Sequence, residues 1–243
     1  MWENKKYAKN GQHHLVDTRI ISSIIDAGKI NKNETVLEIG SGSGYLTLEI
    51  SKSARYVYAY EIDYDLYIKA RETCKNTNNV RIINQDFFKN CITEFDLFIS
   101  NIPYQYSNRI IKWLSVRKFS RAVIMVQREF ANKLMAQPND SSYSAISVIA
   151  QYCFEIESLF LVTSDAFLPV PRVESQVLKL IPKNNLIAKE VMNTIELLFR
   201  NRNKVIDMNY SNRENLKRIS ELSVKEIIEI SKKKLNFKAK LIK

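Results

Sequence analysis

An α/β fold, in which strands and helices alternate to build a mostly parallel sheet before a small helical domain, is predicted by three observations. First, a glycine-rich joint, E-I-G-S-G-S-G at residues 38–44, stands between an apolar run that reads as a buried strand (Thr35–Ile39) and a segment with helical spacing of Leu46 and Ile50. Second, short apolar runs recur at residues 56–60, 80–84, 97–100 and 121–127, with a helix-patterned stretch at residues 64–74. Third, the pattern changes at Pro182, beyond which the chain is basic and helical in spacing, so it divides into residues 1–182 and 183–243.

From the start, a basic arm (residues 5–10) leads into G-Q-H-H-L at residues 11–15 and then Asp17, an N-cap for an apolar helix over residues 20–27 that Gly28 would end. His13 and His14 are the only histidines. Side by side in a loop they make a poor metal site or general base, and are expected to pack or hydrogen-bond beside the glycine joint. In that joint Gly40, Gly42 and Gly44 let the backbone turn tightly and approach a ligand where a Cβ would intrude. The spacing is G-x-G-x-G with Tyr45 in sixth place, not the dinucleotide fingerprint. Glu61 ends the second apolar run, 21 residues past Gly40, where a carboxylate can accept both ribose hydroxyls. Together they indicate an adenosine-type cofactor; the alternative is a plain strand-to-helix turn.

Asp86 follows the third strand on the same carboxyl edge. It is placed either to accept from the exocyclic amine of an adenine or to cap a turn. The fourth strand runs into Asn101, Ile102, Pro103 and Tyr104. Pro103 fixes the backbone so that neighbouring carbonyls can face a ligand, Asn101 adds an amide oxygen, and Tyr104 offers a flat face. An aromatic amine such as adenine N6 is a weak nucleophile because its lone pair is spread into the ring. Two carbonyl acceptors holding its N–H bonds out of plane localise that pair, while the base stacks on Tyr104. Alone, N-I-P-Y would be an Asn-x-Pro turn; after the fourth strand of such a sheet it reads as a site.

Arg121–Gln127 reads as a fifth strand, residues 128–137 as a helix, and residues 155–162 and 174–181 as two final strands. The polar run at residues 139–142 is expected to be a flexible loop. Pro169 and Pro171 confine F-L-P-V-P-R-V-E-S to an extended loop entering an edge strand. Helices are expected at residues 186–199, 213–221 and 224–234.

Of the net charge of +11, residues 183–243 carry +8, from 15 Lys and Arg against 7 Asp and Glu. Such a concentration is either a solvated helix face or a surface for a polyanion; Arg200, Arg202 and Lys204, past the amphipathic stretch 191–199, are the candidate RNA-binding residues. With 45% hydrophobic residues the chain can fill a core, and no apolar stretch approaches the roughly 20 residues of a membrane span. The polar start is not signal-like, and three scattered cysteines without a C-x-x-C pair support neither a disulfide framework nor a zinc site. A reducing cytoplasm is expected, with no membrane and no metal.

These motifs, in this order, make the chain similar to the ribosomal RNA adenine dimethyltransferases that use S-adenosyl-L-methionine and act on the small ribosomal subunit. The resemblance takes in Gly11, Gln12 and Leu15, the glycine joint, E-I-D at residues 61–63, Asp86 and N-I-P-Y. It continues through Y-S-A-I-S-V-I-A-Q (residues 143–151), F-L-P-V-P-R-V-E-S (167–175) and F-R-N-R-N-K (199–204). It implies a Rossmann-like methyltransferase sheet in which His13 and Leu15 line the cofactor loop and Gly40 meets the methionine end. It further puts Glu61 on the ribose, Asp86 on the adenine, Asn101 and Tyr104 at the methyl acceptor, and Phe167 across that base from Tyr104 as a second wall. The implied reaction is N6,N6-dimethylation near the 3′ end of small-subunit RNA during ribosome biogenesis. The partner is that RNA or a pre-ribosomal particle, bound by a monomer. The chain departs from the pattern at His14, where Phe is usual, at Ala145, where Arg is common, and in its short polar tail.

Three alternatives stay open. N-I-P-Y also resembles the large-subunit RNA methyltransferases of macrolide resistance, although F-R-N-R-N-K and S-V-I-A-Q favour the small subunit. DNA adenine methyltransferases share the amine chemistry but typically carry a second proline where this chain has Ile102. A non-catalytic RNA-binding assembly or transcription factor could keep the same fold.

Overall fold

A computed structural model describes residues 13–207 and 216–241 of the protein. The basic arm at residues 5–10, together with Gly11 and Gln12, lies outside the described residues. A seven-stranded sheet runs in the order β4 (Val80–Ile83), β3 (Tyr56–Tyr60), β2 (Thr35–Ile39), β5 (Leu97–Asn101), β6 (Arg121–Gln127), β9 (Ser175–Pro182), β7 (Phe154–Val162). The first five are mutually parallel and β9 pairs antiparallel with β6. In β6 the residues from Ala122 to Val126 are all buried, as expected of a central strand covered on both faces. Strand order reverses between β2 and β5: the chain builds outward from β2 through β3 to β4, then returns to place β5 on the other side. Beyond the carboxyl ends of such a pair an open α/β sheet leaves a crevice.

The chain forms two compact units. The first is residues Met1–Ser107, Phe119–Arg128 and Glu157–Ile181; the second is Asn108–Lys118, Glu129–Ile156 and Pro182–Lys243. The last crossing falls at Pro182, but the second unit also takes in earlier helices, of which that at Ala145–Cys153 packs on those at Lys189–Phe199 and Val224–Leu241.

In the first unit, α1 (Thr18–Gly28) is capped by Asp17, whose Oδ1 accepts from Arg19 N at 2.8 Å. Gly28, expected to end this helix, is its last residue; the turn is made by Lys29 at φ 45°. A Cβ on Gly28 would stand 3.1 Å from Ile99 Cδ1, so the glycine serves close packing rather than the stop. Helices α2 (Tyr45–Ser51) and α3 (Tyr64–Thr73) follow β2 and β3. Arg121 at the start of β6 pairs both nitrogens with Glu34 (2.7 and 2.9 Å) and donates Nε to Gly28 O, locking the amino ends of β2 and β6 to the end of α1. A short antiparallel pair, β1 (His14–Leu15) with β8 (Phe167–Leu168), was not legible as strand.

The second unit gathers most of α4 (Ser107–Leu114), α5 (Arg128–Met135), α6 (Ala145–Cys153), α7 (Lys189–Phe199) and α8 (Val224–Leu241). In the Y-S-A-I-S-V-I-A-Q motif a polar side chain recurs every fourth residue, at Tyr143 just before α6 and at Ser147 and Gln151 within it. Tyr143 donates to Leu222 O (3.0 Å), Ser147 to Lys133 O (2.6 Å), and Gln151 to Leu134 O and Ala136 O (2.9 and 2.7 Å). Its role here is to bolt helices together. Of the stretch expected as a helix at residues 213–221, residues 213–215 lie outside the described residues; Leu216–Arg218 is strand β11, paired antiparallel with β10 (Val205–Asp207), and Ile219–Glu221 turns as 3-10 helix. Among the described residues no helix is long and apolar enough to cross a membrane.

Candidate functional site

At the carboxyl ends of β2 and β5 lies a cavity of about 970 Å³, within the range of small-molecule sites. His13, Leu15, Gly40, Gly42, Glu61, Asp86, Asn101, Pro103 and Tyr104 all line it. They arrive on five segments: the chain before α1, and the ends of β2, β3, β4 and β5, which the parallel sheet brings to one edge. Phe167, expected as a second wall across from Tyr104, is not there. It is 1% exposed and packed in the hydrophobic core, because pairing of β8 with β1 sets Phe167 opposite Leu15.

Gly40 (φ 71°) starts the turn, and its N–H and that of Ser41 donate to Tyr60 O at 2.7 and 3.2 Å. A Cβ on Gly40 would stand 3.1 Å from Pro103 Cγ, so the loop after β2 directly adjoins the loop after β5. Ser100 Oγ, donating to Ile39 O at 2.7 Å, ties the same two strand ends together. A Cβ on Gly42 would meet His14 Nδ1 at 3.1 Å. His14 is thus packed on the turn, and burial, helped by the charges of Lys69 and His13, lowers its pKa. Gly44 (φ 84°) caps α2 where a Cβ would lie 2.9 Å from Ala70 Cα.

Glu61 is buried, and its Oε2 accepts from Gly42 N and its Oε1 from Asp63 N, each at 2.9 Å. Burial raises its pKa against those N–H donors. The carboxylate therefore shapes the glycine turn, and each oxygen keeps a further lone pair for a ligand hydroxyl. Asp86 Oδ1 accepts from Phe88 N at 3.0 Å, so this residue caps a turn and lines the cavity at once. Asn101 Nδ2 donates to His13 O at 3.4 Å. His13 Nδ1 bonds Pro169 O at 2.7 Å; because a carbonyl only accepts, that nitrogen carries the proton. The Tyr104 hydroxyl bonds Ser175 Oγ at 2.9 Å, and burial raises its pKa.

Three features test the fit of an adenosine cofactor with a charged amino-acid end. Positive-φ glycines leave a cradle without side chains. Ser41 Oγ, on the cavity wall, is buried with no hydrogen-bond partner among the described residues. Ile62, Leu66 and Phe87 give an apolar lining for a flat base beside the buried carboxylate of Glu61. The residues fit such a ligand.

Sequence reasoning missed Glu38, Ser41 and Ile62 as site residues. Glu38 is buried, accepts from Thr47 Oγ1 at 2.6 Å, and has its pKa pushed up to about 8 by burial, with the Glu61 charge adding to it. The available signal was a carboxylate inside an apolar run. Of the basic residues after α7, Arg202 is engaged, donating to Ser141 O (2.8 Å) and Asp140 O (3.2 Å). With Asn139 N donating to Ser220 O at 2.9 Å, it braces the 139–142 run expected to be a flexible loop. Arg200 and Lys204 are exposed. Among the described residues no three His, Cys, Asp or Glu side chains cluster as a metal site would require.

Comparison with known proteins gives one family. A model described as "Ribosomal RNA adenine dimethylase" matches residues 3–241. A probable ribosomal RNA small subunit methyltransferase A of Methanosphaera stadtmanae is 38% identical over 196 residues, covering 79% of this chain and 72% of that one. The crystal structure of a dimethyladenosine transferase from Plasmodium falciparum superposes with a TM-score of 0.73 at 32% identity, over 80% of this chain and 73% of that one. That of a 23S rRNA methyltransferase does so with a TM-score of 0.63 at 28% identity, over 77% and 78%.

Proposed function

This chain belongs to the ribosomal RNA adenine dimethylase family, and from that membership we propose that it dimethylates N6 of adenosine near the 3′ end of small-subunit ribosomal RNA, with S-adenosylmethionine as cofactor. The observation that carries the reading is the apposition of Gly40 and Pro103, which puts a cofactor cradle and an amine-binding tetrapeptide in one cavity.

When bound, S-adenosylmethionine supplies an electrophilic methyl group on a sulfonium. Glu61 holds the ribose hydroxyls, Asp86 accepts from the adenine amine, and Ile62 and Phe87 flank that ring. The open glycine turn with Ser41 receives the amino-acid end. At the acceptor, the oxygen of the Asn101 amide and the Ile102 carbonyl take the N–H bonds of the target amine and localise its lone pair. Pro103 O already accepts from Tyr106 N at 2.8 Å, which ties the tetrapeptide to the turn that follows it. Tyr104 stacks on the extruded base with its ring held by Ser175. Positioning and exclusion of water supply the acceleration. Arg200 and Lys204 meet the RNA backbone from a basic region, residues 183–243, that serves to hold the RNA; Arg202 acts by bracing. The protein works as a monomer in the cytoplasm, a setting consistent with three free cysteines.

The test is to incubate the protein with labelled S-adenosylmethionine and ribosomal subunits lacking the modification, then digest the RNA. Label in N6,N6-dimethyladenosine of the small subunit is expected; label in large-subunit RNA, or none in RNA, would overturn the reading. Asn101→Ala is expected to keep cofactor affinity within about 2-fold while turnover falls about 100-fold or more, the signature of contacts made in the transition state.

A further inference from the structure

An adenosine drawn out of an RNA stack leaves a gap between its former neighbours. Among the described residues twelve large apolar side chains are exposed, and three of them, Leu168, Val170 and Val173, fall within six residues of one loop. Single exposed apolar side chains are ordinary, whereas a group on a stiff loop beside a ligand site is not. Leu168 is 46% exposed and Val170 58%, immediately after Phe167 at 1%. For Leu168 the contrast follows from strand β8, where successive side chains alternate between core and solvent; Val170 lies in the loop beyond it. Pro169 and Pro171 fix φ on both sides of Val170, which lowers the entropy the loop loses on docking.

The loop is tied to the acceptor end of the cavity at two points. Pro169 O accepts from His13 Nδ1 at 2.7 Å, and Ser175 Oγ bonds the Tyr104 hydroxyl at 2.9 Å. His13 and Tyr104 both line the cavity. Arg172, exposed on the same loop, supplies a cation for a flanking phosphate.

We propose that Leu168 and Val170 are an apolar wedge that enters the RNA stack at the place the target adenosine has left, keeping its neighbours apart while the adenosine lies on Tyr104. The inference rests on the chain being an RNA adenine methyltransferase. Apolar side chains inserted between base steps work this way, replacing lost base-on-base contact with contact to the wedge.

Two hairpins carrying the target sequence separate the wedge from everything else: one with the adenosine stacked between ordinary nucleotides, one with abasic nucleotides on both sides, where no stack has to be held open. The double variant Leu168→Ser, Val170→Ser is expected to lose about 10-fold or more in kcat/KM on the stacked RNA and at most about 2-fold on the abasic-flanked RNA. Cofactor affinity and melting temperature should stay at the parent's values, both side chains being exposed. Where the double variant melts lower, Val170→Thr, which keeps the side-chain shape, is expected to lose about 3-fold on the stacked RNA alone. An equal loss on both hairpins, or none on the stacked one, overturns the wedge. A parent protein that methylates neither hairpin nor ribosomal subunits overturns the methyltransferase reading, and the wedge with it.

Discussion

The hydroxyl of Tyr104 bonds Ser175 at 2.9 Å, so the ring of this cavity-lining residue is oriented from its far end. Face and hydroxyl can therefore be separated by mutation. Tyr104→Phe keeps the stacking surface and should hold kcat/KM within about 5-fold, whereas Tyr104→Ala removes it and should cost about 10- to 100-fold, the usual worth of a base–aromatic stack. Steady-state methylation kinetics decide; equal losses in both variants would assign the work to the hydroxyl. Glu38 makes a different kind of prediction. Its folded pKa, about 8, lies above the ordinary carboxylate value of 4.5 because burial disfavours the charge. The folded protein thus holds a proton that the unfolded chain releases between these values, so this group's stabilising contribution is complete below pH about 4.5 and is lost as pH rises to about 8. Glu38→Gln, which has nearly the same shape and can still accept from Thr47, should lose less stability over that window. Thermal melts at pH 5 and pH 8 should show the variant gaining on the parent as pH rises; a constant gap would refute the assignment of the proton.

In the turn between β2 and α2, three glycines with positive φ do different work. A Cβ on Gly44 would strike the backbone of α3 at 2.9 Å, whereas one on Gly40 would face the Pro103 ring across the cavity wall. Gly44→Ala should therefore destabilise the fold by about 2–4 kcal/mol, combining left-handed strain with overpacking against a backbone that cannot yield. Gly40→Ala should instead weaken cofactor binding. Denaturant titration and equilibrium dialysis of S-adenosylmethionine separate the two, and a reversed pattern would undo this division of roles. The contrast shows what was legible beforehand. Strands β2, β3, β5 and β6 could be read because a strand buried on both faces is a continuous apolar run. The placement of Glu61, Asp86 and Asn101 at one edge followed, since parallel strands send all their carboxyl ends the same way. Which glycine touches α3 and which touches Pro103 could not be read, because both contacts come from distant chain. Phe167 and Leu216 were misplaced for the same reason. The face of Phe167 is set by pairing with Leu15, and Leu216 is a strand because Asp207 lies opposite, despite local spacing that favours a helix.

For the molecule as a whole, the net charge of +11, of which +8 lies in residues 183–243, sets how it meets a polyanion. Each phosphate neutralised releases counterions, so affinity falls as salt rises, with a slope that counts the contacts. Exposure, however, distinguishes basic residues that can make such contacts from those already occupied. Arg202 is held by the carbonyls of Asp140 and Ser141, and its removal should loosen that turn, lowering melting temperature more than the salt slope. Arg200 and Lys204 are exposed. Replacing both with Ala should weaken binding to small-subunit RNA, flatten the plot of log affinity against log salt by about 1.5–2, and do so equally for target and unrelated sequences, because phosphate contacts carry no base information. Cofactor affinity should not move, nor turnover once RNA is saturating. Filter-binding titrations at several salt concentrations measure the slope directly. An unchanged slope in the Arg200→Ala, Lys204→Ala variant would show that the basic excess of residues 183–243 is a solvated surface. The RNA would then have to be held by other cations.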